Sequence, residues 1–141
     1  MGLFDKLKKG NKDTNYTLLS NWLDTILEQD LPKRIIAFNF NLYEGSKGTY
    51  DIQLIGSDEF DENNSDWACT DYYTTCENIC YIKREKEIEH WEQGLTYMKK
   101  LVMQYLSEGE KAHVLKNSSA VGIGFVDGDL EIIYPQIVSI T

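Results

Sequence analysis

Three cysteines and one histidine are the residues of this chain whose types could bind a metal. Cys69, Cys76, Cys80 and His90 offer the thiolate and imidazole ligands that Zn²⁺ prefers. Their spacing argues against such a site, because six and three residues separate the cysteines, whereas zinc knuckles repeat a two-residue spacing. We therefore expect three free thiols, with no bound metal and no cofactor.

Residues 61–65 have the start of a calcium-binding pattern. Asp61, Asn63 and Ser65 occupy alternate positions, as the oxygen ligands of an EF-hand loop do. However, Asp66 stands where that loop requires glycine, and Tyr72 stands where it requires a bidentate glutamate. The pattern fails at its two most discriminating positions, so we expect a solvated loop.

Catalytic residues are not marked by any motif. The chain has two histidines, His90 and His113, and it has no Gly-x-Ser-x-Gly sequence that would place a nucleophilic serine on a tight turn. We therefore predict no catalytic residues and no enzymatic activity. An alternative hypothesis is a small enzyme or small-molecule binder that uses a histidine or a cysteine at an unrecognised site.

The strongest signal is an acidic segment without bases. Residues 48–82 contain no Lys or Arg, but they contain eight acids and six aromatic residues. Acidic groups steer a cationic partner while Tyr and Trp rings anchor it, and the same charge repels nucleic acid. The predicted partner-binding residues are Asp58, Glu59, Asp61, Glu62, Asp66, Trp67, Asp71, Tyr72 and Tyr73. For Trp67, a second interpretation is equally open, namely that it plugs the edge of the sheet.

Length and charge bound the class of protein. With 141 residues, 42% of them hydrophobic, the chain predicts one folded domain. Its net charge is −9, although residues 1–12 carry four Lys and one Asp. We predict a basic tail over residues 1–12 and a single domain over residues 13–141. Free thiols, with no signal peptide and no membrane span, predict a cytoplasmic protein that does not bind membranes. The choice between monomer and dimer stays open, as does a self-associating adaptor protein.

Hydrophobic periodicity predicts the elements that position these residues. The predicted elements are a helix over 15–29, a hairpin with strands over 34–43 and 50–54, a strand over 72–82, a long helix over 84–107, a hairpin over 120–134 and a short strand over 137–140. Residues 56–71, hereafter the acidic loop, join the first hairpin to the third strand. The predicted fold is α+β, with an antiparallel sheet of about five strands and two helices packed on one face.

Glycines within these elements predict close contacts. Gly94 lies in the middle of the long helix, where glycine costs about 1 kcal/mol relative to alanine, so we expect it to pack closely against a strand. Gly122 and Gly124 share one face of the second hairpin. Another backbone or a large side chain is therefore expected to approach that face.

Two short stretches resemble small bacterial proteins. These stretches are Phe60-Asp61-Glu62 with Asp66-Trp67-Ala68-Cys69, and residues 124–132. The predicted helix–hairpin–long helix–hairpin layout is similar to the immunity proteins of bacterial polymorphic toxin systems, including YezG-like antitoxins. This resemblance implies a protein that binds and blocks a basic toxin, such as a nuclease, inside the producing cell. It implies no particular inhibitory residues.

Overall fold

The first predicted helix forms and buries one face. The computed structural model describes residues 14–70 and 72–135, and in it α1 spans Thr14–Glu28. Its buried residues are Leu19, Leu23, Ile26 and Leu27. They recur at intervals of three and four, so they form one apolar stripe on the helix. The helix ends before Pro32, since a residue that precedes proline avoids the helical conformation.

The first predicted hairpin also forms. Strand β1 spans Ala37–Glu44 and strand β2 spans Thr49–Ser57, with Asn41 opposite Gln53 in the antiparallel register. Gly48 has a φ angle of 75° in the turn, a value that favours glycine. Strand β2 ends at Ser57, so it includes the first two residues of the acidic loop.

The predicted strand over 72–82 is two short strands. Strand β3 spans Tyr73–Thr74 and strand β4 spans Cys80–Lys83, and both pair with β2. Between them Cys76 has a φ angle of 54°, and its N–H donates to Oγ1 of Thr74 over 3.1 Å. This turn breaks the extended conformation, so a run of β-forming residues does not make one continuous strand here.

The long helix begins later than predicted. Helix α2 spans Trp91–Glu108, with His90 as its N-cap, and a 3₁₀ turn at Lys86–Ile88 precedes it. Gly109 is its C-cap, as expected. A short third helix, α3, spans Ala112–Lys116 and was not predicted. The hydroxyl of Tyr105 accepts from the N–H of Lys111 over 3.1 Å, which ties α3 to α2.

The second hairpin consists of β5 (Ala120–Phe125) and β6 (Glu131–Tyr134). The expected close approach at its glycines is confirmed, because a Cβ added to Gly124 would lie 2.5 Å from the carbonyl oxygen of Asp129. The tail over residues 1–12 and the predicted strand over 137–140 lie outside the described residues.

The prediction of an antiparallel sheet is corrected. In the described residues the sheet is mixed and has six strands, in the order β3-β2-β1-β5-β6, with β4 also paired to β2. Strand β5 pairs with β1 in parallel, because the chain crosses over through α2 and α3 before it re-enters the sheet. Local patterns predict each hairpin, but they do not decide how two hairpins join.

The helices lie on one face of the sheet, as predicted, although three are described where two were expected. Apolar residues of α1, α2 and α3 form one core with Phe40, Ile52 and Ile123. We call this side the helix face. The other side, hereafter the open face, carries the alternate residues of each strand, including Asn41, Gln53 and Gly124.

Candidate partner-binding surface

The acidic loop folds back over one end of the open face. Trp67 is only 3% exposed and packs with Ala37 and Ala120, the first residues of β1 and β5. The ring of Phe60 meets that of Trp67 edge to face, with 5.3 Å between the ring centroids. Trp67 therefore anchors the loop to the sheet and does not offer its ring to a partner. Trp67 is buried, as the second interpretation expected, but it covers the first residues of the central strands β1 and β5 and not the edge of the sheet.

Side chains within the loop hold its backbone in place. Oδ1 of Asp61 accepts from the N–H of Asn63 over 2.9 Å, and Oδ1 of Asn64 accepts from the N–H of Asp66 over 3.0 Å. The hydroxyl of Thr70 donates to Oε1 of Glu59 over 2.8 Å. Short polar side chains that bond nearby amides stabilise such turns. The acidic loop thus displays its carboxylates from a defined backbone.

Four of the predicted acids project from this loop into solvent, namely Glu59, Asp61, Glu62 and Asp66. Asp58 is partly covered, and its carboxylate lies 3.8 Å from the guanidinium of Arg34. Arg34 comes from the connection between α1 and β1, so reading the segment alone does not reveal this cation. The pair is exposed on the Arg34 side and adds at most about 1 kcal/mol of stability.

The predicted aromatic residues and the last acid are not grouped as expected. Tyr72 is 37% exposed, and the guanidinium of Arg34 lies 5.9 Å from its ring centroid. Tyr73 is half-buried against the main core, and burial raises its pKa above the usual value. Asp71 lies outside the described residues. Only Tyr72 among the three predicted aromatic residues is therefore largely available at the surface.

A polar row that the prediction did not single out crosses the open face beside the loop. Nδ2 of Asn39 donates to Oδ1 of Asn41 over 2.7 Å, and Nδ2 of Asn41 donates to Oε1 of Gln53 over 3.4 Å. Oδ1 of Asn39 is buried and has no hydrogen-bond partner in the described part of the chain. Strand alternation could identify these residues as outward facing. It could not show that the acidic loop would cover one end of the row.

A cleft of about 320 Å³ separates the acidic loop from the β5–β6 connection. Asn41 and Gly124 line its base, while Ser65 and Cys69 from the 3₁₀ turn at Ser65–Cys69 line one wall. The opposite wall includes Asp129. The cleft therefore joins the acidic loop to the exposed remainder of the open face.

A larger groove of about 740 Å³ lies beyond the β5–β6 connection. Trp91, Leu95 and Phe125 supply its apolar lining, and the rings of Trp91 and Phe125 meet at right angles 6.4 Å apart. Four acids also line it, namely Glu44, Asp127, Asp129 and Glu131. Two of them have cationic neighbours, since Arg84 lies 3.6 Å from Glu44 and Lys99 contacts Glu131.

Of the cysteines and histidines considered for metal binding or catalysis, only Cys69 lines the cleft described above. Within residues 14–70 and 72–135, no three His, Cys, Asp or Glu side chains are grouped as a metal site would need. Cys80 is buried, and its burial raises the pKa of the thiol to about 12. Nδ1 of His90 accepts from the N–H of Glu92 over 3.4 Å at the start of α2. His113 is exposed on α3.

Comparison with protein-family models, curated proteins and solved structures finds no match to this chain. Among the helices described here, none combines the length and apolar character that crossing a membrane requires.

Proposed function

We propose that this protein binds a basic protein partner through the acidic loop and thereby neutralises a toxin. The observation that carries the proposal is the set of four solvent-exposed acids, Glu59, Asp61, Glu62 and Asp66, on a loop whose backbone is held by its own side chains. A surface whose shape is already set loses less conformational entropy on binding. The net charge of −9 adds a long-range attraction for a cationic protein.

Toxin neutralisation is the role that best unites these features with the resemblance to immunity proteins. Toxins that cut nucleic acid need basic clefts to hold phosphates, and an acidic loop placed over such a cleft would exclude the substrate. The proposal includes a cytosolic location, which the three free cysteines support, because thiols persist in a reducing compartment.

The test begins with a stoichiometric basic partner captured from the source organism and then assayed for toxin activity. The informative variant reverses Glu62 and Asp66 to Lys, because neither side chain caps a backbone amide in the described loop. The matched control reverses Glu28 and Glu110, which are exposed outside the loop, so the net charge changes equally.

We expect the loop variant to slow association several-fold at low salt and to weaken inhibition of the toxin, because close charge pairs set the association rate. The control variant should lose much less. If both variants associate at the same rate, the acidic loop is not the interface. If the captured partner has no activity that the protein inhibits, the neutralising role is wrong.

A second candidate function is small-molecule binding in the larger groove. The observation that favours it is the exposed ring of Trp91 beside Phe125 in a cavity of about 740 Å³, which is within the usual size range of ligand pockets. A thermal-shift screen of amines and other metabolites would test it. A ligand that raises the melting temperature of the wild type but not of Trp91→Ala would support this function.

A further inference from the structure

Two tyrosines flank an aspartate on the uncovered end of the open face. In the register of the sheet, Tyr43 of β1 lies opposite Asp51 of β2, and Asp51 lies opposite Tyr81 of β4. Tyr43 is 37% exposed and Tyr81 is 58% exposed, whereas Ala37 at the covered end of the same face is fully buried. The acidic loop therefore leaves this row uncovered. We call Tyr43, Asp51 and Tyr81 the tyrosine row.

The spacing within the row suits a flat cation. Neighbouring strands lie about 4.8 Å apart, so Tyr43 and Tyr81, two strands apart, are separated by roughly 10 Å. The side chain of Tyr43 reaches toward Gln53, because its hydroxyl donates to Oε1 of Gln53 over 3.2 Å. The ring of Tyr81, on the other side of Asp51, is exposed, so a planar group can stack on a ring beside the carboxylate. The hydroxyl of Thr49 donates to Oδ1 of Asp51 over 2.6 Å and so holds the carboxylate beside the first glycine of the β1–β2 turn.

Arginine is the side chain that this arrangement fits best. A guanidinium group stacks on aromatic faces and donates two parallel hydrogen bonds to a carboxylate. Lysine offers one compact charge without the planar stacking surface. Lys83 lies opposite Thr49 in the register, and its ammonium is 3.7 Å from the carboxylate of Glu85. Asp51 has no cationic partner among the described residues.

We propose that the tyrosine row anchors an arginine of the basic protein partner, an inference that rests on the proposed function. The row and the acidic loop occupy two ends of one face, with the pair Asn41 and Gln53 between them in the register of β1 and β2. A basic segment laid across this face would place charges beside the loop and one guanidinium in the row. Tyrosine is enriched among the residues that contribute most to protein interfaces.

A second copy of the chain is a poorer occupant of this face. A twofold dimer through the row would bring Asp51 against Asp51, and each copy carries a net charge of −9. Like charges at a contact oppose association. The charge of the face therefore favours a cationic partner over self-association.

The experiment uses the full chain and a short oligoarginine peptide, with an oligocitrulline peptide of equal length as the neutral probe. Binding is followed at low salt by amide shifts in two-dimensional NMR, which resolve the tyrosine row from the acidic loop. We expect oligoarginine, but not oligocitrulline, to shift the amides of Tyr43, Asp51 and Tyr81. Asp51→Asn and Tyr81→Ala should each weaken the effect at the row about three-fold or more.

Control variants separate this anchor from general charge attraction. Glu110→Gln removes one exposed negative charge outside this face, as Asp51→Asn does within the row, and should leave the shifts at the row unchanged. Asp51→Asn preserves the size of the side chain, so the variant should fold normally. Unchanged amide shifts in α2 of the free variant would verify this, and a loss of binding would then not reflect misfolding.

Four results would overturn the inference. Amide shifts confined to the acidic loop would show that the tyrosine row does not bind arginine, and they would still be consistent with the proposed function. Equal shifts from oligocitrulline would show that charge is not recognised at the row. A dimer detected by light scattering and abolished by Tyr81→Ala would assign the face to self-association. If oligoarginine shifted neither region, the proposed function would also lose its electrostatic basis.

Discussion

At the scale of single residues, Tyr50 and Gly94 form the contact that sets where α2 lies on the sheet. Tyr50 is fully buried, and its hydroxyl donates to the carbonyl oxygen of Ile88 over 2.5 Å, just before the helix. Gly94 allows this approach, because a Cβ at that position would overlap the ring and hydroxyl of Tyr50. The expectation that Gly94 packs closely against a strand is therefore confirmed. The sequence could not identify Tyr50 as its neighbour.

We expect Gly94→Ala to destabilise the protein. Alanine has a helix propensity about 1 kcal/mol more favourable than that of glycine. The added methyl group, however, would displace the buried ring of Tyr50, and such overpacking typically costs about 1–3 kcal/mol. We expect this cost to exceed the gain in helix propensity. Urea unfolding of the variant would measure the difference. Gln93→Ala, which is exposed on the same helix, should be neutral or slightly stabilising. A stabilised Gly94→Ala protein would show that Tyr50 moves aside at little cost.

The buried thiol of Cys80 should make the folded protein less stable in alkaline solution. Burial raises the pKa of its thiol from 9.0 to about 12. Below pH 9 both the folded and unfolded forms are protonated, so the stabilisation is fully present. Above pH 9 only the unfolded thiol ionises, so stability falls as pH rises toward the folded pKa. Between pH 8 and 10 the loss expected from Cys80 alone is about 1.4 kcal/mol.

Urea unfolding across that pH range would measure this loss. In Cys80→Val the loss should be smaller than in the wild type by about 1.4 kcal/mol, whereas Cys69→Ser, at an exposed cysteine, should lose as much as the wild type. Tyr50, Tyr73 and Tyr105 also have pKa values raised by burial above the usual 10.0, so they cause a further loss as the pH approaches 10, and this part persists in Cys80→Val. An equal loss in the wild type and in Cys80→Val would assign the whole effect to other groups.

At the scale of elements, the acidic loop behaves as a unit with its own small core. Trp67, Ala37 and Ala120 form a buried cluster separate from the main core, with Phe60 packed against it. Periodicity cannot detect such a loop, because its backbone follows no regular repeat and its anchor is one aromatic residue. Whether Trp67 contacts a partner or packs against the sheet could be decided only from the tertiary structure.

We expect Trp67→Ala to unfold the acidic loop locally while α2 stays folded. Replacing a buried tryptophan by alanine costs about 3–5 kcal/mol, and here the lost contacts belong to the separate cluster. Hydrogen exchange read by mass spectrometry should therefore speed up in residues 58–70 much more than in 95–106. Trp91→Ala, at a tryptophan 48% exposed, should not change exchange in the loop. Uniform acceleration across the chain would mean that the loop and the main core unfold together.

The late start of α2 has a local reason that the pattern did not reveal. The buried hydroxyl of Tyr50 lies within hydrogen-bond distance of the carbonyl oxygens of Ile88, Glu89 and His90, which accept from it. His90 then caps the helix through its imidazole. Apolar spacing from residue 88 onward predicted a helix across this stretch, yet a buried polar group required carbonyls there.

At the scale of the whole molecule, charge repulsion opposes the folded state. The chain carries 23 acidic and 14 basic residues. The four ion pairs described above all include an exposed partner, so each contributes little. Repulsion between like charges in a compact protein should therefore outweigh these attractions.

We expect sodium chloride to stabilise the protein modestly. Raising the salt from about 0.01 M to about 0.15 M shortens the screening length from about 30 Å to about 8 Å, which weakens repulsion across the surface. The free energy of unfolding in urea should rise, and the rise should be smaller in the Glu28→Lys, Glu110→Lys variant, whose net charge is less negative. A fall in stability with salt would show that the ion pairs dominate.

Residues close together along the chain are enough to predict several elements of this protein. The apolar stripe of α1, most of α2, both hairpins and the acidic character of residues 48–82 follow from local spacing and composition, because side-chain period and turn residues act over a few positions. The parallel pairing of β5 with β1 depends instead on the folded core, and so does the acidic loop, which covers one end of the open face and leaves the tyrosine row exposed. Such contacts join distant residues, and long-range packing selects them only when the whole core forms.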